Sequence, residues 1–287
     1  MARKKTRVKR PSVSRQSRAL RKKALRRPPR KSAARTAAKP ARKHATKPAA
    51  RPTKKARHAQ PASSVRFPGE DARYRQARDR LLKAEIELRR HAEAVAAERR
   101  KLPRGGEVPE DYLFEESNKA GGSRAVKLSE LFAPDKHTLV LYNFMYGPAM
   151  PRACPSCSTM LDALDANAKA ISQRVNLAVV AKSPLPRILS HARDRGWYGL
   201  RLLSSADNSY NRDYHGESPD GRQMPMLNVF VKRGGAIHHL WGSELLYAPT
   251  DKGQDPRHGD FLFPLWSVFD LAPEGRGKDW YPQLSYF

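Results

Sequence analysis

The first acidic residue of this 287-residue chain is Glu70, and the first aromatic one is Phe67. Before them, residues 1–60 hold 24 Lys and Arg and no Asp or Glu. Such a segment has too little apolar surface to offset the entropy of ordering it, so it cannot build a core. The whole chain carries 56 basic and 28 acidic residues, a formal +28, and the part beyond residue 60 has 32 against 28, or +4. The basic balance therefore belongs to a disordered tail set at residues 1–64, interrupted by Pro11, Pro28, Pro29, Pro40, Pro48 and Pro52. The Ala/Lys/Pro runs of this tail resemble, in composition, the tails of linker histones and bacterial histone-like proteins. That implies a partner reached by charge: DNA or RNA bound through residues 1–60 without sequence reading.

The remaining residues are enough for one globular domain with a sizeable core. The longest largely apolar run, Leu139–Met145, is far short of the ~20 residues of a bilayer span. The basic N-terminus never reaches an apolar stretch, so neither a secretory signal nor a mitochondrial presequence is expected, and the expected location is the cytoplasm, at the nucleoid if the tail directs it there.

Three organisational blocks follow: the tail, a long helix within 65–106, and an α/β domain over 107–287. Tyr74, Ala77, Leu81, Ala84, Leu88 and Val95 lie at alternating 3,4 spacing and predict one amphipathic helix over 70–101, stopped by Pro103, Gly105 and Gly106, with Glu85 and Arg89 paired at i,i+4. Its stripe serves a dimer or partner, or packs on its own domain; the second is the simpler expectation. Beyond it, short strands are expected at Tyr112–Glu115, Ala125–Leu128, His137–Phe144, Val175–Ala181 and Leu200–Ser204. Ser129 is placed to cap a short turn. Helices are expected at Pro155–Ile171 and Pro184–Arg195, with a helical turn at Asn208–Tyr214. Leu227–Lys232 and Ala236–Trp241 flank Gly234-Gly235 as a hairpin, and His258–Leu271 reads as an aromatic helix kinked at Pro264. This order predicts a central mixed sheet flanked by helices.

Both cysteines fall in one motif, Cys154-Pro155-Ser156-Cys157, between a buried strand and a helix. A helix N-terminus offers free N–H groups and a positive dipole end, which favour the thiolate of the first cysteine. Pro155 suits the first helical turn, and Cys157 lies one turn on, within reach of a disulfide. Cys154 is then the attacking thiolate and Cys157 the resolving thiol of a thiol–disulfide exchange. Other readings of the pair are a zinc site, an iron–sulfur cluster shared by a dimer, or two inert buried thiols. Zinc wants four ligands, no second C-x-x-C or C-x-x-H is present, and His238 and His239 point to opposite faces of one strand. No metal and no cofactor is expected.

The segment Leu139-Val140-Leu141-Tyr142-Asn143-Phe144 followed by C-x-x-C resembles the strand and active site of the thioredoxin superfamily. Met224-Pro225 ahead of Met226–Lys232 resembles that superfamily's cis-proline strand. The resemblance implies a cis peptide at Met224–Pro225 beside the cysteines, with the Met224 backbone free to pair with substrate. Lys127–Phe132 and the strand–helix–strand of Val175–Ser205 look closer to the peroxiredoxin and cytochrome-maturation branches. More specifically, residues 65–287 resemble the bacterial thioredoxin-like proteins grouped as domain of unknown function 899. The resemblance rests on Arg66-Phe67-Pro68-Gly69-Glu70, Cys154–Ser158, Asn211-Arg212-Asp213-Tyr214 and Leu271–Gly277.

Departures from thioredoxin matter. Ala153 stands where thioredoxin has Trp, and Asn143 where it has a buried Asp, so the usual proton acceptor is missing. Gly147 and Pro151 occupy the Pro and Thr positions of the peroxiredoxin signature, which leaves a peroxide pocket unsupported. Arg212 and His215, in a dense polar cluster, are candidate charge or proton partners for Cys154, against the plainer reading of a surface turn. Asp255, His258 and Asp260 have a spacing without strong metal precedent. The expected function is thiol–disulfide exchange with a disulfide or dithiol, protein or small molecule. The alternative is a nucleic-acid-associated protein whose domain is a non-catalytic scaffold.

Overall fold

Alternation of side chains along two buried parallel strands organises this domain. In a computed structural model that describes residues 63–118 and 120–286, β3 (Thr138–Asn143) runs parallel to β4 (Asn176–Ala181). Val140 and Tyr142 of β3 and Leu177, Val179 and Ala181 of β4 point to one face; Leu139, Leu141, Ala178 and Val180 point to the other. Each face closes its own core, as period-2 geometry requires of a strand buried on both sides. The lysine- and arginine-rich tail lies almost wholly outside the described residues.

β1 (Leu113–Ser117) and β2 (Ser123–Lys127) form an antiparallel hairpin at one edge, joined through β5 (Leu202–Ser204) to β4. At the other edge β6 (Leu227–Arg233) runs antiparallel to β3 and turns into β7 (Ala236–Gly242). The seven strands lie in the order β2-β1-β5-β4-β3-β6-β7. The β6–β7 turn is Gly234-Gly235 with φ of +62° and +86°, the double left-handed pair that a two-residue hairpin needs. The β4-β3-β6-β7 half, with a helix opening just after β3, is a thioredoxin-like arrangement, here widened by three strands.

α2 (Pro155–Ile171) and α3 (Leu185–Arg195) cover the first face, burying Met160, Leu161, Leu164 and Ile188. Gly196 takes the left-handed position, φ +72°, that ends α3. The second face is closed by Leu128, Leu131 and by α4 (Tyr210–Asp213), whose Tyr210 ring meets Tyr112, Phe114 and Tyr214.

Four expectations need correction. α1 (Ala72–Lys101) forms where expected, with Asp71 accepting from the Tyr74 N–H at 2.7 Å, but it buries no residue. Leu88 of its stripe is 70% exposed, because both faces of the sheet are already covered without it. Its C-terminal end meets the domain where the Arg99 guanidinium sits 5.1 Å from the Trp241 ring. Glu85 pairs with Arg78, two turns back, at 3.7 Å, rather than with Arg89. Ser129 does not cap its turn; the Glu130 carboxylate accepts from the Lys127 N–H, and Asp111 engages Ser129. The aromatic C-terminal helix shrinks to α5 (Pro264–Phe269), since Pro264 starts a helix more readily than it bends one. None of the described helices is long and apolar enough to cross a membrane.

Candidate active site

Cys154 is the N-cap of α2, and the loop before it is fixed by its own N–H donating to the Met145 carbonyl at 3.0 Å. Its sulfur accepts from the Cys157 N–H at 3.4 Å, so one of the helix's free donors points at it. Pro155 occupies the first helical position, where it withdraws no needed donor. Cys154 is half-buried and Cys157 buried, and both are free thiols.

The two sulfurs divide one proton unequally. The Cys157 thiol hydrogen-bonds to the Cys154 sulfur and, with the Cys157 and Ser156 N–H groups and a smaller part from the Tyr281 hydroxyl, outweighs burial; the Cys154 pKa falls to about 6. For Cys157 the same bond and full burial push the pKa well above the usual thiol range. Cys154 is thus a thiolate at neutral pH and Cys157 its proton-bearing partner. The Tyr142 hydroxyl donates to the Cys157 sulfur at 3.2 Å, and burial keeps that hydroxyl protonated.

Behind the pair, buried Ser158 donates to the Cys154 carbonyl at 2.9 Å, and its oxygen lies 3.0 Å from His191 Nε2. Because the serine proton is used on the carbonyl, the imidazole is the donor in that contact. His191 packs against Phe144 and Trp197, and burial lowers its pKa. The helix end that carries Cys154 is therefore braced from α3.

A cavity of about 160 Å³ opens over the sulfurs, lined by Met145, Met160 and Pro225 on one side and by the C-terminal segment on the other. That segment brings Asp255, His258, Phe263, Trp266 and Tyr281 over Cys154. Arg257 and Arg276 each pair with Asp260 and with Asp270, at 2.6–3.4 Å, and tie the segment together.

The expected site residues fare differently. Pro225 lines the cavity as expected, but the Met224–Pro225 peptide is trans, and there is no cis peptide among the described residues. The chain turns instead by a tight bend centred on Pro225, in which the Met226 N–H donates to the Met224 carbonyl at 3.0 Å; proline's fixed φ suits that bend. The Met224 N–H also donates to the Gly216 carbonyl at 2.9 Å, so its backbone is not the free edge expected. Arg212 is exposed and paired with Asp213. His215 lies with Tyr214, His239 and Tyr247 around a separate cavity of about 850 Å³. Asn228 of that cavity pairs with Leu141 in the sheet, which places it on the face away from the cysteines. Neither Arg212 nor His215 is brought to Cys154.

Asn143 stands one residue past Tyr142 and so on the opposite face; its Oδ1 accepts from Asn228 at 3.4 Å while its buried Nδ2 has no partner. Sequence reasoning passed over Tyr142, Ser158, His191 and Tyr281. Period-2 alternation was a usable signal for Tyr142, since Phe144, two residues on, shares the cysteine face. Tyr281 has no comparable local signal.

Among solved structures, the chain is similar to the reduced 2-Cys peroxiredoxin of Plasmodium vivax, 19% identical over 48% of this chain and 83% of that one, with a TM-score of 0.37. It is similar to the peroxidoxin BcpB of Mycobacterium tuberculosis, 20% identical over 56% and 94%, TM-score 0.34. The thioredoxin peroxidase I of Plasmodium yoelii is 17% identical over 63% and 100%, TM-score 0.37. No curated protein sequence matches it. A family model matches residues 65–286, nearly everything beyond the basic tail, and the chain belongs to the family described as bacterial protein of unknown function, DUF899.

Proposed function

We propose that this protein is a thiol–disulfide oxidoreductase. The observation that carries the reading is the pairing of a half-buried Cys154 sulfur at a helix N-terminus with a buried, protonated Cys157 one turn on. Cys154 attacks one sulfur of a disulfide, forms a mixed disulfide and releases the other half as a thiolate. Cys157 then gives up its proton and attacks the Cys154 sulfur, releasing the second thiol and leaving a Cys154–Cys157 disulfide. The substrate is reduced by two electrons and the protein oxidised by two; a dithiol reverses the change. Tyr142 holds the Cys157 sulfur, and Ser158 and His191 hold the helix end.

The Cys154 pKa lies below that of a free thiol, so the reactive form is present above about pH 6 and is lost as pH falls through that value. The test follows thiolate absorbance and the rate of exchange with a small disulfide across pH 4–9. A common midpoint near 6, abolished in Cys154→Ser, is expected. A midpoint near the free-thiol value of about 8.5, or exchange that survives Cys154→Ser, refutes the reading. The basic residues of 1–60 add a second property to the proposal: salt-sensitive, non-specific attachment to nucleic acid in the cytoplasm, at the nucleoid.

A further inference from the structure

The cavity over Cys154 has a ceiling, and the ceiling restricts what reaches the sulfur. A protein disulfide approaches an exposed thiolate across an open surface. Here Trp266, Phe263 and Tyr281 share with Cys154 the lining of a cavity of about 160 Å³. A cavity of roughly that volume holds about six to eight non-hydrogen atoms, benzene being the reference occupant. This is the size of a two-carbon aminothiol disulfide.

The charge of the ceiling narrows the choice. Arg257 and Arg276 are each bound to both Asp260 and Asp270, so that quartet sums to zero. Asp255 is different. Its Oδ1 accepts only from the Arg257 backbone N–H, at 2.7 Å, and among the described residues no cationic nitrogen lies within 4.0 Å of its carboxylate. His258 beside it is held neutral by burial. One uncompensated carboxylate and the Cys154 thiolate therefore face the same small space, whose other walls, Met145, Met160 and Pro225, suit methylene groups.

Resting on the oxidoreductase reading above, we infer that the substrate is a low-molecular-weight disulfide carrying an ammonium group, seated under the C-terminal ceiling with its cation toward Asp255. The bonds change as already described. Cys154 displaces one aminothiol, Cys157 displaces the other, two thiols leave, and a dithiol reductant regenerates the protein.

The test uses the full-length reduced protein and three small disulfides: cystamine (cationic), bis(2-hydroxyethyl) disulfide (neutral) and dithiodiglycolate (anionic). Each rate is divided by the rate of the same disulfide with free 2-mercaptoethanol, a thiol with no other charge, which removes intrinsic reactivity. The normalised rate for cystamine should exceed that for the neutral disulfide by about two- to fivefold, the range of an exposed charge pair. The anionic disulfide should be the slowest of the three, and insulin slower still. Asp255→Asn keeps the acceptor for the Arg257 N–H and should erase the preference; 1 M salt should do the same in the unaltered protein. Equal normalised rates, a preference that survives either Asp255→Asn or 1 M salt, or insulin reduced as fast as cystamine each overturn the inference while leaving the oxidoreductase reading standing. No exchange with any disulfide overturns both.

Discussion

Tyr142→Phe removes one oxygen from the site and leaves a ring of nearly the same shape in place. That oxygen is 3.2 Å from the Cys157 sulfur and donates to it. The residue is buried, 4% exposed, so no water replaces the lost donor. A hydrogen bond to a charged acceptor contributes about 1.5–3 kcal/mol. At 1.36 kcal/mol per pKa unit, the Cys157 thiolate should become harder to form by about one to two units. The less stable thiolate is also a better nucleophile, and a Brønsted slope near 0.45 restores a little under half of the loss. The resolving step should therefore slow by about four- to fifteenfold. The attack by Cys154 should be nearly untouched, since the Cys157 thiol and the backbone N–H groups of α2 still donate to that sulfur. With cystamine the two steps separate. Loss of thiolate absorbance reports Cys154 attack, and mass analysis of the acid-quenched mixed disulfide reports its displacement by Cys157. A slowed second phase with an unchanged first phase is expected. Two unchanged phases would falsify the role of Tyr142, and slowing of both would show that the substitution acts on the helix end instead.

Two further expectations concern the fold and the tail. Leu161→Ala, at a fully buried position of α2, should cost about 2–5 kcal/mol, whereas Leu88→Ala on the open stripe of α1 should stay within about 0.5 kcal/mol. Urea denaturation of both variants checks this, and equal losses would mean that α1 is packed in solution. Binding of the full chain to duplex DNA should fall by about a thousandfold between 50 and 200 mM salt if even six phosphates are neutralised. A protein starting at residue 63 should bind far more weakly; equal binding by both assigns any affinity to the domain rather than the tail.

What could be read from the sequence was what is local. Pro155 at the first position of α2, Gly196 at the end of α3 and Gly234-Gly235 between β6 and β7 carry their own conformational signals, and these elements form close to the expected boundaries. The position of Cys154 at a helix N-terminus was legible for the same reason, since a helix start needs no distant partner. Everything that depends on chain separation was not. Tyr281 reaches Cys154 from 127 residues away, and Arg276 joins Asp260 across the cavity ceiling. Arg212 and His215 looked suitable by residue type, yet α4 and the turn after it carry them to other surfaces. The stripe of α1 shows the remaining gap: periodicity gives a helix an apolar face but says nothing of what that face meets.

The Arg257–Asp260–Asp270–Arg276 quartet has a further consequence. Arg257 is more than half exposed and Asp270 about a third, so dissolved ions screen these pairs within a Debye length of about 8 Å at 0.15 M. Cys154 and Cys157 depend on something different, a helix end and buried packing, to which added salt is nearly indifferent. Ionic strength thus acts on which molecule is admitted and hardly on how fast an admitted one reacts. The proposed choice of substrate and the proposed reactivity of the thiol therefore answer to different controls, and dissolved salt reaches only the first.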